Sequence, residues 1–575
     1  MTTETPTELP AEKVNHARLL AALAVFFLLV YLVPLGSRPM ASPDEPRYGE
    51  IPREMLADGD WVTPRLCGVP YFEKTALGYQ TTAASFWLFG ENRFALRLPN
   101  ALAVGLTALF LYFFLIKTCR DPYLPALASA LYLTSAFVVA LGMFAVPDAQ
   151  LTAAITISIG CFYLACLAKS KSGVLLWLVL SGIACGAAFQ IKGFLAFAVP
   201  VLVLTTFLCW TRSWKRLFLY PWIPLGIAGL VSLPWGLAIH RAEPDFWRYF
   251  VMEEHIRRFL SGTYDKGSET IFYFVPILIF GLLPAGGTAI CAWSGWRRKG
   301  FFAQPLARLL LCWIVMPFLF FSASSCKTGP YILPCFPPAA AFLALGIREA
   351  FRRDRQKAQQ RMGVFFYGFG ILTAVLSAMT LLAFPLPYHE WFPGFPNLYP
   401  EGYALGFVCM PLLVLWGILL MVYRKKTIAA FVLYFLGLAP ILSVLFFVLP
   451  IGLFGAKFAE YGLRKGLEQI PVQADDTVFV EGNHAPAYAW TLKRTNLVYV
   501  NPSGELRHWF SRAGDSLQKP FFFDENTEAL QPLLKESPEK KSILITSRDL
   551  NKQPFPFPRE PIAQFTFSGI TIVRF

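Results

Sequence analysis

Charge is what this 575-residue sequence has least of. Asp, Glu, Lys and Arg together make up 15% of it, against 55% hydrophobic residues. That balance excludes one soluble core and points to a polytopic membrane protein. There is no CxxC pair and no zinc-type spacing among the eleven cysteines. Cys161, Cys166, Cys185 and Cys409 lie inside apolar runs, where cysteine behaves as a small hydrophobe. Cys67 and Cys326 fall in loops expected outside the membrane, and a disulfide between them is left open. No internal repeat or low-complexity tract is present, which argues against a transporter built from repeats. The first apolar run, Leu19 to Leu35, is followed by no small-residue cleavage site and is expected to be an uncleaved span. A net charge of +14 would suggest nucleic acid only if it formed a basic patch on a soluble face.

What is there, in quantity, is apolar sequence. With about 20 residues per span, about thirteen runs are found. They centre near Phe27, Leu106, Leu131, Ile157, Ser181, Leu202, Ile227, Ile279, Ile314, Ala341, Leu372, Pro411 and Leu438. Alternate short connections collect the Lys and Arg residues, among them Lys117 and Arg120, Lys169 and Lys171, Arg297 to Lys299, Arg348 to Arg361, and Arg424 to Lys426. By the positive-inside rule these connections and the N-terminus are cytoplasmic, so the basic excess is largely a topology signal. The opposite face then holds the loop Ser42 to Tyr79, Asp148, the loop Arg241 to Glu269, and everything after about Leu453.

The expected organisation is a transmembrane unit over 1–455, with a first outer loop over 37–94, and a small soluble α/β domain over 456–575. The latter follows from short β-branched stretches (TVFVEG, NLVYV, SILITS, FTFSGITIVRF) alternating with the helix-compatible HAPAYAWTLKR. In the first outer loop Asp44, Glu45 and Pro46 suit a helix N-terminus. Tyr48, Ile51, Met55 and Leu56 then recur at helical spacing opposite Arg47, Glu50 and Glu54, which predicts an amphipathic helix in the membrane interface, kinked at Pro52.

Five cations share that outer face: Lys74, Lys192, Arg257, Arg258 and Lys327. Lys192 stands in QIKG between two apolar runs, too deep for a solvated loop, and an ionisable group at such depth marks a functional site or a side chain snorkelling to the interface. Several cations without a matching excess of carboxylates suggest a bound phosphate. On the outer face that phosphate belongs to a lipid rather than to a cytosolic nucleotide.

The strings DEPRYGEIPREMLADGDWVTPRLCGVPYFEKTALGY, AVPD, QIKGFLA, EEHIRRF and KTGPYILPCFPPAAA occur in this order and together resemble the lipid A aminoarabinose transferases of Gram-negative inner membranes. These are C-fold (GT-C) glycosyltransferases related to the protein O-mannosyltransferases. The sequence departs from the family in EKTALGY, where proline more usually follows the lysine. The resemblance implies a periplasmic active site that takes an aminoarabinose from undecaprenyl phosphate and places it on lipid A, inverting the anomeric centre, with polymyxin resistance as the outcome. It implies that Asp44 and Asp148 are the catalytic acids, and that Lys74, Lys192 and Arg258 hold the donor phosphate. Arg47, Tyr71, Tyr331 and Glu505 would line the cavity. Glu73 and His255 would form an accessory divalent-metal pair, zinc in the family. The expected partners are the undecaprenyl-phosphate-linked donor, lipid A and membrane lipids, with no nucleotide cofactor and no nucleic acid. Two alternatives stay open: a related transferase with another sugar or a protein Ser/Thr acceptor, and a lipid or solute transporter.

Overall fold

The computed structural model of the chain describes residues 14–261, 269–383, 404–445, 455–482, 484–502, 505–513, 521–522, 541–548, 550 and 560–575. Seven of its helices are long and apolar enough to cross a membrane: Arg93–Thr118, Asp148–Leu167, Lys171–Lys192, Trp214–Ala242, Pro305–Ala323, Gly329–Arg353 and Arg355–Met379. Counting each of two bent pairs as one span, Leu124–Leu133 with Ala136–Gly142 and Phe274–Gly281 with Ala285–Trp296, gives nine among the described residues. The other apolar runs form shorter or partly described helices, and every expected centre falls in a helix. Long lipid-facing side chains such as Leu106, Leu230, Phe280 and Leu372 are exposed on the bundle surface, as a bilayer-facing wall requires. Close helix contact is made where side chains are small. A Cβ added at Gly295 would lie 1.9 Å from the Gly346 carbonyl, so the helices Ala289–Trp296 and Phe336–Arg353 touch backbone to backbone.

One end of the bundle carries the polar architecture. The helix Asp44–Asp58 starts with two acidic residues in its first turn and stops at Gly59, whose φ of 68° allows the left-handed cap. Two short strands follow, β1 (Arg65–Leu66) and β2 (Val69–Pro70), paired through a turn in which Cys67 and Gly68 both have positive φ. The C-terminal region folds as a six-stranded mixed sheet of β3 (Thr477–Glu481), β4 (Val498–Val500), β5 (Phe521–Phe522), β6 (Ser542–Thr546), β7 (Ala563–Phe567) and β8 (Ile570–Arg574). Their order is β5-β4-β3-β6-β8-β7, parallel from β5 to β6 and antiparallel across β6, β8 and β7. The stretch HAPAYAWTLKR supplies the helix Ala485–Leu492.

A single apolar core joins this sheet to the loops below it. It contains Ile51 and Met55 of the first outer helix, Tyr71 and Phe72, Trp235 and Phe246, and Tyr488, Trp509 and Ile543 of the C-terminal region. The first outer helix therefore does not present its polar side to water. Its polar side is buried under the C-terminal helix Ala485–Leu492, with Trp490 packed 3.2 Å from where a Cβ on Gly49 would stand. Burial forces those polar groups to pair. Arg53 forms a bidentate bridge to Glu50 at 2.6 and 2.8 Å, and Glu54 accepts from the Gly68 N–H at 2.9 Å. Cys67 and Cys326 are both buried thiols and form no disulfide with each other.

Candidate active site

The site is anchored by a residue that sequence reasoning passed over. Glu45 is wholly buried and accepts from Arg38 at 2.5 and 3.0 Å, from Arg97 at 2.8 and 3.0 Å, and from the backbone N–H groups of Ala41 and Ala145. Burial works to raise its pKa, but Arg38 and Arg97 outweigh it and hold the carboxyl at about 2. This bridge fixes the start of the first outer helix to Arg93–Thr118, and it leaves the neighbouring Asp44 facing outward. Asp44 is 46% exposed and bridges Arg47 at 2.5 Å. Arg47 lies against the Tyr48 ring at 5.2 Å, and although burial disfavours its charge, the nearby carboxylates of Asp44 and Glu73 favour the charged form. The Tyr48 ring in turn stacks on Tyr79 at 5.8 Å, and the charges of Arg47, Asp44, Asp148 and Glu73 all bear on it. Tyr71 is buried against Trp509 of the C-terminal region.

The second half of the site is built where the helix Lys171–Lys192 ends. Lys192 is buried and donates to Asp148 Oδ1 at 2.5 Å, with its ammonium 4.7 Å from the centre of the Tyr331 ring. Asp148 opens the preceding helix, Asp148–Leu167, so its carboxylate also sits at a favourable helix N-terminus. The reason for Gly193 is spatial. Its φ is 76°, and a Cβ there would lie 2.6 Å from the Phe250 ring and 2.7 Å from His255 Nε2. The stretch Tyr249–Arg257 is a π-helix, a form that recurs at functional sites, and it delivers Glu254 into the cluster. Lys74 pairs with Glu254 and lies 3.8 Å from Glu73 Oε2; Arg258 bridges Glu254 at 2.6 Å and lies 3.7 Å from the same Glu73 oxygen. Burial alone would raise the Glu254 carboxyl, but Lys74 and Arg258 outweigh it and hold it below the ordinary carboxylate range.

Most of the expected residues therefore converge. Asp44, Arg47, Tyr71 and Glu73 from the first outer loop, Lys74, Asp148, Lys192, Arg258 and Tyr331 form one connected set of charged and aromatic groups. The expectation that its cations lack matching carboxylates is wrong. Glu73, Glu254 and Asp148 balance Lys74, Arg258 and Lys192. Two of the five cations stand apart: Arg257 is exposed and pairs with Glu253, and Lys327 donates to the backbone carbonyls of Glu269 and Ser324. Glu505 opens the helix Glu505–Ala513, and its side chain lies outside the described residues.

His255 does not suit a metal in this arrangement. Its Nδ1 is 2.7 Å from the Phe250 carbonyl, and its Nε2 accepts from the Phe194 N–H at 3.3 Å, so one tautomer satisfies both nitrogens with backbone. Among the described residues no group of three or more His, Cys, Asp and Glu side chains is placed to hold an ion. Burial pushes the His255 pKa below the ordinary imidazole value, which favours the neutral ring already engaged by these two bonds.

A helical membrane bundle with a buried ionic cluster at one end, capped by a mixed sheet, is the fold of a C-fold membrane glycosyltransferase. Residues 16–250 match the dolichyl-phosphate-mannose-protein mannosyltransferase family. The crystal structure of ArnT from Cupriavidus metallidurans bound to undecaprenyl phosphate superposes with a TM-score of 0.76 at 22% identity, covering 98% of each chain. An undecaprenyl phosphate-alpha-4-amino-4-deoxy-L-arabinose arabinosyl transferase of Yersinia enterocolitica is 34% identical over 86% of this chain and 87% of its own. A second, from Proteus mirabilis, is 32% identical over 92% and 93%. The chain belongs to the undecaprenyl phosphate-alpha-4-amino-4-deoxy-L-arabinose arabinosyl transferase family.

Proposed function

We propose that the chain transfers 4-amino-4-deoxy-L-arabinose from undecaprenyl phosphate to a phosphate of lipid A, at the periplasmic face of a bacterial inner membrane, with the N-terminus cytoplasmic and the C-terminal sheet periplasmic. The observation that carries this reading is the balanced ionic cluster. Lys74, Lys192 and Arg258 are matched by Glu73, Glu254 and Asp148 in a buried setting. A donor with a phosphate diester and a sugar ammonium is itself a zwitterion. It can exchange partners with such a cluster, phosphate to the cations and ammonium to a carboxylate, without leaving a buried charge unpaired. A donor with a neutral sugar would bring one uncompensated negative charge. The names of the Yersinia enterocolitica and Proteus mirabilis relatives, which carry this donor, point the same way.

In the transfer, the bond between the anomeric carbon and the phosphate oxygen breaks, the electron pair stays on the phosphate, and an acceptor oxygen attacks from the opposite face. The leaving phosphate gains negative charge, which Lys74, Lys192 and Arg258 stabilise from fixed positions in a low-dielectric site. Lys192 turning from Asp148 to the phosphate releases that carboxylate at the moment the donor binds. Asp148 is then free to take the sugar ammonium, and Asp44, exposed beside Arg47, faces the side from which an acceptor enters. A lipid A phosphate is already ionised and needs no base, so Asp44 and Arg47 act by orienting it. The buried hydroxyl of Tyr79, with no hydrogen-bond partner among the described residues, is available to a sugar hydroxyl. Purified chain in detergent, given undecaprenyl-phosphate-linked aminoarabinose and lipid A, is expected to form modified lipid A without added metal. Transfer to a protein hydroxyl and none to lipid A would refute the acceptor assignment.

A further inference from the structure

At the opposite end of the bundle the helices form an open cavity of about 280 Å³ whose walls include Arg298, Lys299, Gln304, Arg348, Glu349 and Arg352. We propose that it is a binding site for the phosphate headgroup of an anionic membrane lipid, separate from the transferase site. The separation is set by one helix. Tyr331, beside Lys192, lies in the short 3-10 turn Gly329–Cys335 that leads into Phe336–Arg353, and from Phe336 to Glu349 that helix rises about 20 Å.

The cavity is built rather than incidental. Glu349 is 3% exposed and fastens three guanidiniums in place, bridging Arg348 at 2.7 Å, Arg298 at 2.5 Å and Arg352 at 3.6 Å. Arg348 is further held by Gln304 Oε1 at 3.1 Å. The helices behind these residues touch backbone to backbone at Gly295 and Gly346, so the wall is stiff. Charge is left over. Among the described residues Glu349 and, 3.8 Å from Arg352, Asp121 stand against the four cations Arg298, Lys299, Arg348 and Arg352, which leaves an excess of two positive charges, and the three guanidiniums are planar donors that suit phosphate oxygens. The surroundings of the cavity match those of a membrane interface. Trp293 and Phe302 are exposed beside it, Arg297 sits 6.0 Å over the Trp293 ring, and Arg308 sits 5.6 Å over Trp210, an arrangement of interfacial aromatics and cations. Basic cavities between membrane helices at this level take lipid phosphates.

The test uses the full chain reconstituted in phosphatidylcholine with and without cardiolipin, extracted in detergent, with cardiolipin retained per chain measured by native mass spectrometry. Wild type is expected to retain cardiolipin and to hold it against millimolar inorganic phosphate. The double variant Arg348→Gln/Arg352→Gln is expected to lose at least about tenfold in retention, a difference of about 1.4 kcal/mol. Gln304→Glu removes no cation and leaves the topology signal intact, yet it places a carboxylate in the cavity and is expected to lose retention as well. Both variants should stay monodisperse on gel filtration and keep wild-type donor binding at the distant site, which separates a failure here from a failure of the transferase reading. Equal retention in wild type and both variants would show that these cations serve orientation only. Displacement of cardiolipin by inorganic phosphate at the same concentration in wild type would assign the cavity to a soluble phosphate and overturn the lipid source.

Discussion

Replacing Glu45 by Gln keeps the shape of the side chain and removes its charge, and the structure fixes what that costs. Glu45 is fully buried between Arg38 and Arg97, themselves 8% and 0% exposed, so the variant leaves two guanidiniums in the interior without their counterion. Breaking a buried bridge from one side costs about 3–5 kcal/mol. A second route agrees. The carboxyl is held at about 2 against an ordinary 4.5, and a shift of that size corresponds to about 3 kcal/mol of folded-state preference for the charged form. Because the folded pKa is depressed, this stability is fully present above pH 4.5 and is lost only as pH falls through about 2. The defect of Glu45→Gln should therefore be the same at pH 5.5 and pH 8. Thermal unfolding of the purified chain, followed by tryptophan fluorescence, should show a fall in apparent Tm of roughly 2–4 °C at both pH values. An unchanged Tm would refute the claim that this bridge locks the first outer helix to the bundle.

Asp44→Asn is expected to lose transfer severely while keeping donor binding, because Asp44 is exposed on the acceptor side; loss of both in a donor-binding assay would move it into the donor site. Asp148→Asn should weaken donor binding for the amino sugar more than for undecaprenyl phosphate alone, measured by competition. Chelation with EDTA should leave turnover unchanged, and a complete loss reversed by zinc would show that Glu73 and His255 rearrange to bind metal. His255 is held neutral below its ordinary pKa, so the unfolded chain takes up more protons than the folded one and stability should fall as pH drops below about 6.5; His255→Asn should flatten that dependence in a pH series of melting curves. Single cysteines at positions 60 and 468 should react with an impermeant reagent from outside the cell, and one at 357 only after permeabilisation.

The membrane class was legible because apolar runs of span length leave few alternatives, and the C-terminal sheet because β-branched stretches alternate there with a helix. Lys192 was legible as an ionisable group placed too deep to be solvated, and Asp148 through the resemblance carried by AVPD. The pairing of the cluster was not. Glu254 sits in an EEHIRR string whose charges look like a solvated face, and only the π-helical turn and its packing on Gly193 show that one of those glutamates points inward. Glu45 was hidden by its neighbour, since two adjacent acids at a helix start both read as dipole partners, although one is buried on Arg38 and Arg97 and the other faces out. The buried polar side of the first outer helix was misread because an amphipathic pattern does not say whether lipid and water or bundle and sheet lie on its two sides.

The most direct test is mass spectrometry of lipid A from a Gram-negative host that lacks its own transferase and expresses either this chain or its Lys192→Ala variant at equal membrane levels. Wild type should add aminoarabinose to lipid A, and Lys192→Ala should reduce that product by about a hundredfold, the loss expected when one fixed cation is removed from the leaving phosphate. Lipid A left unmodified by the wild-type chain, or modified equally by both, would contradict the assignment.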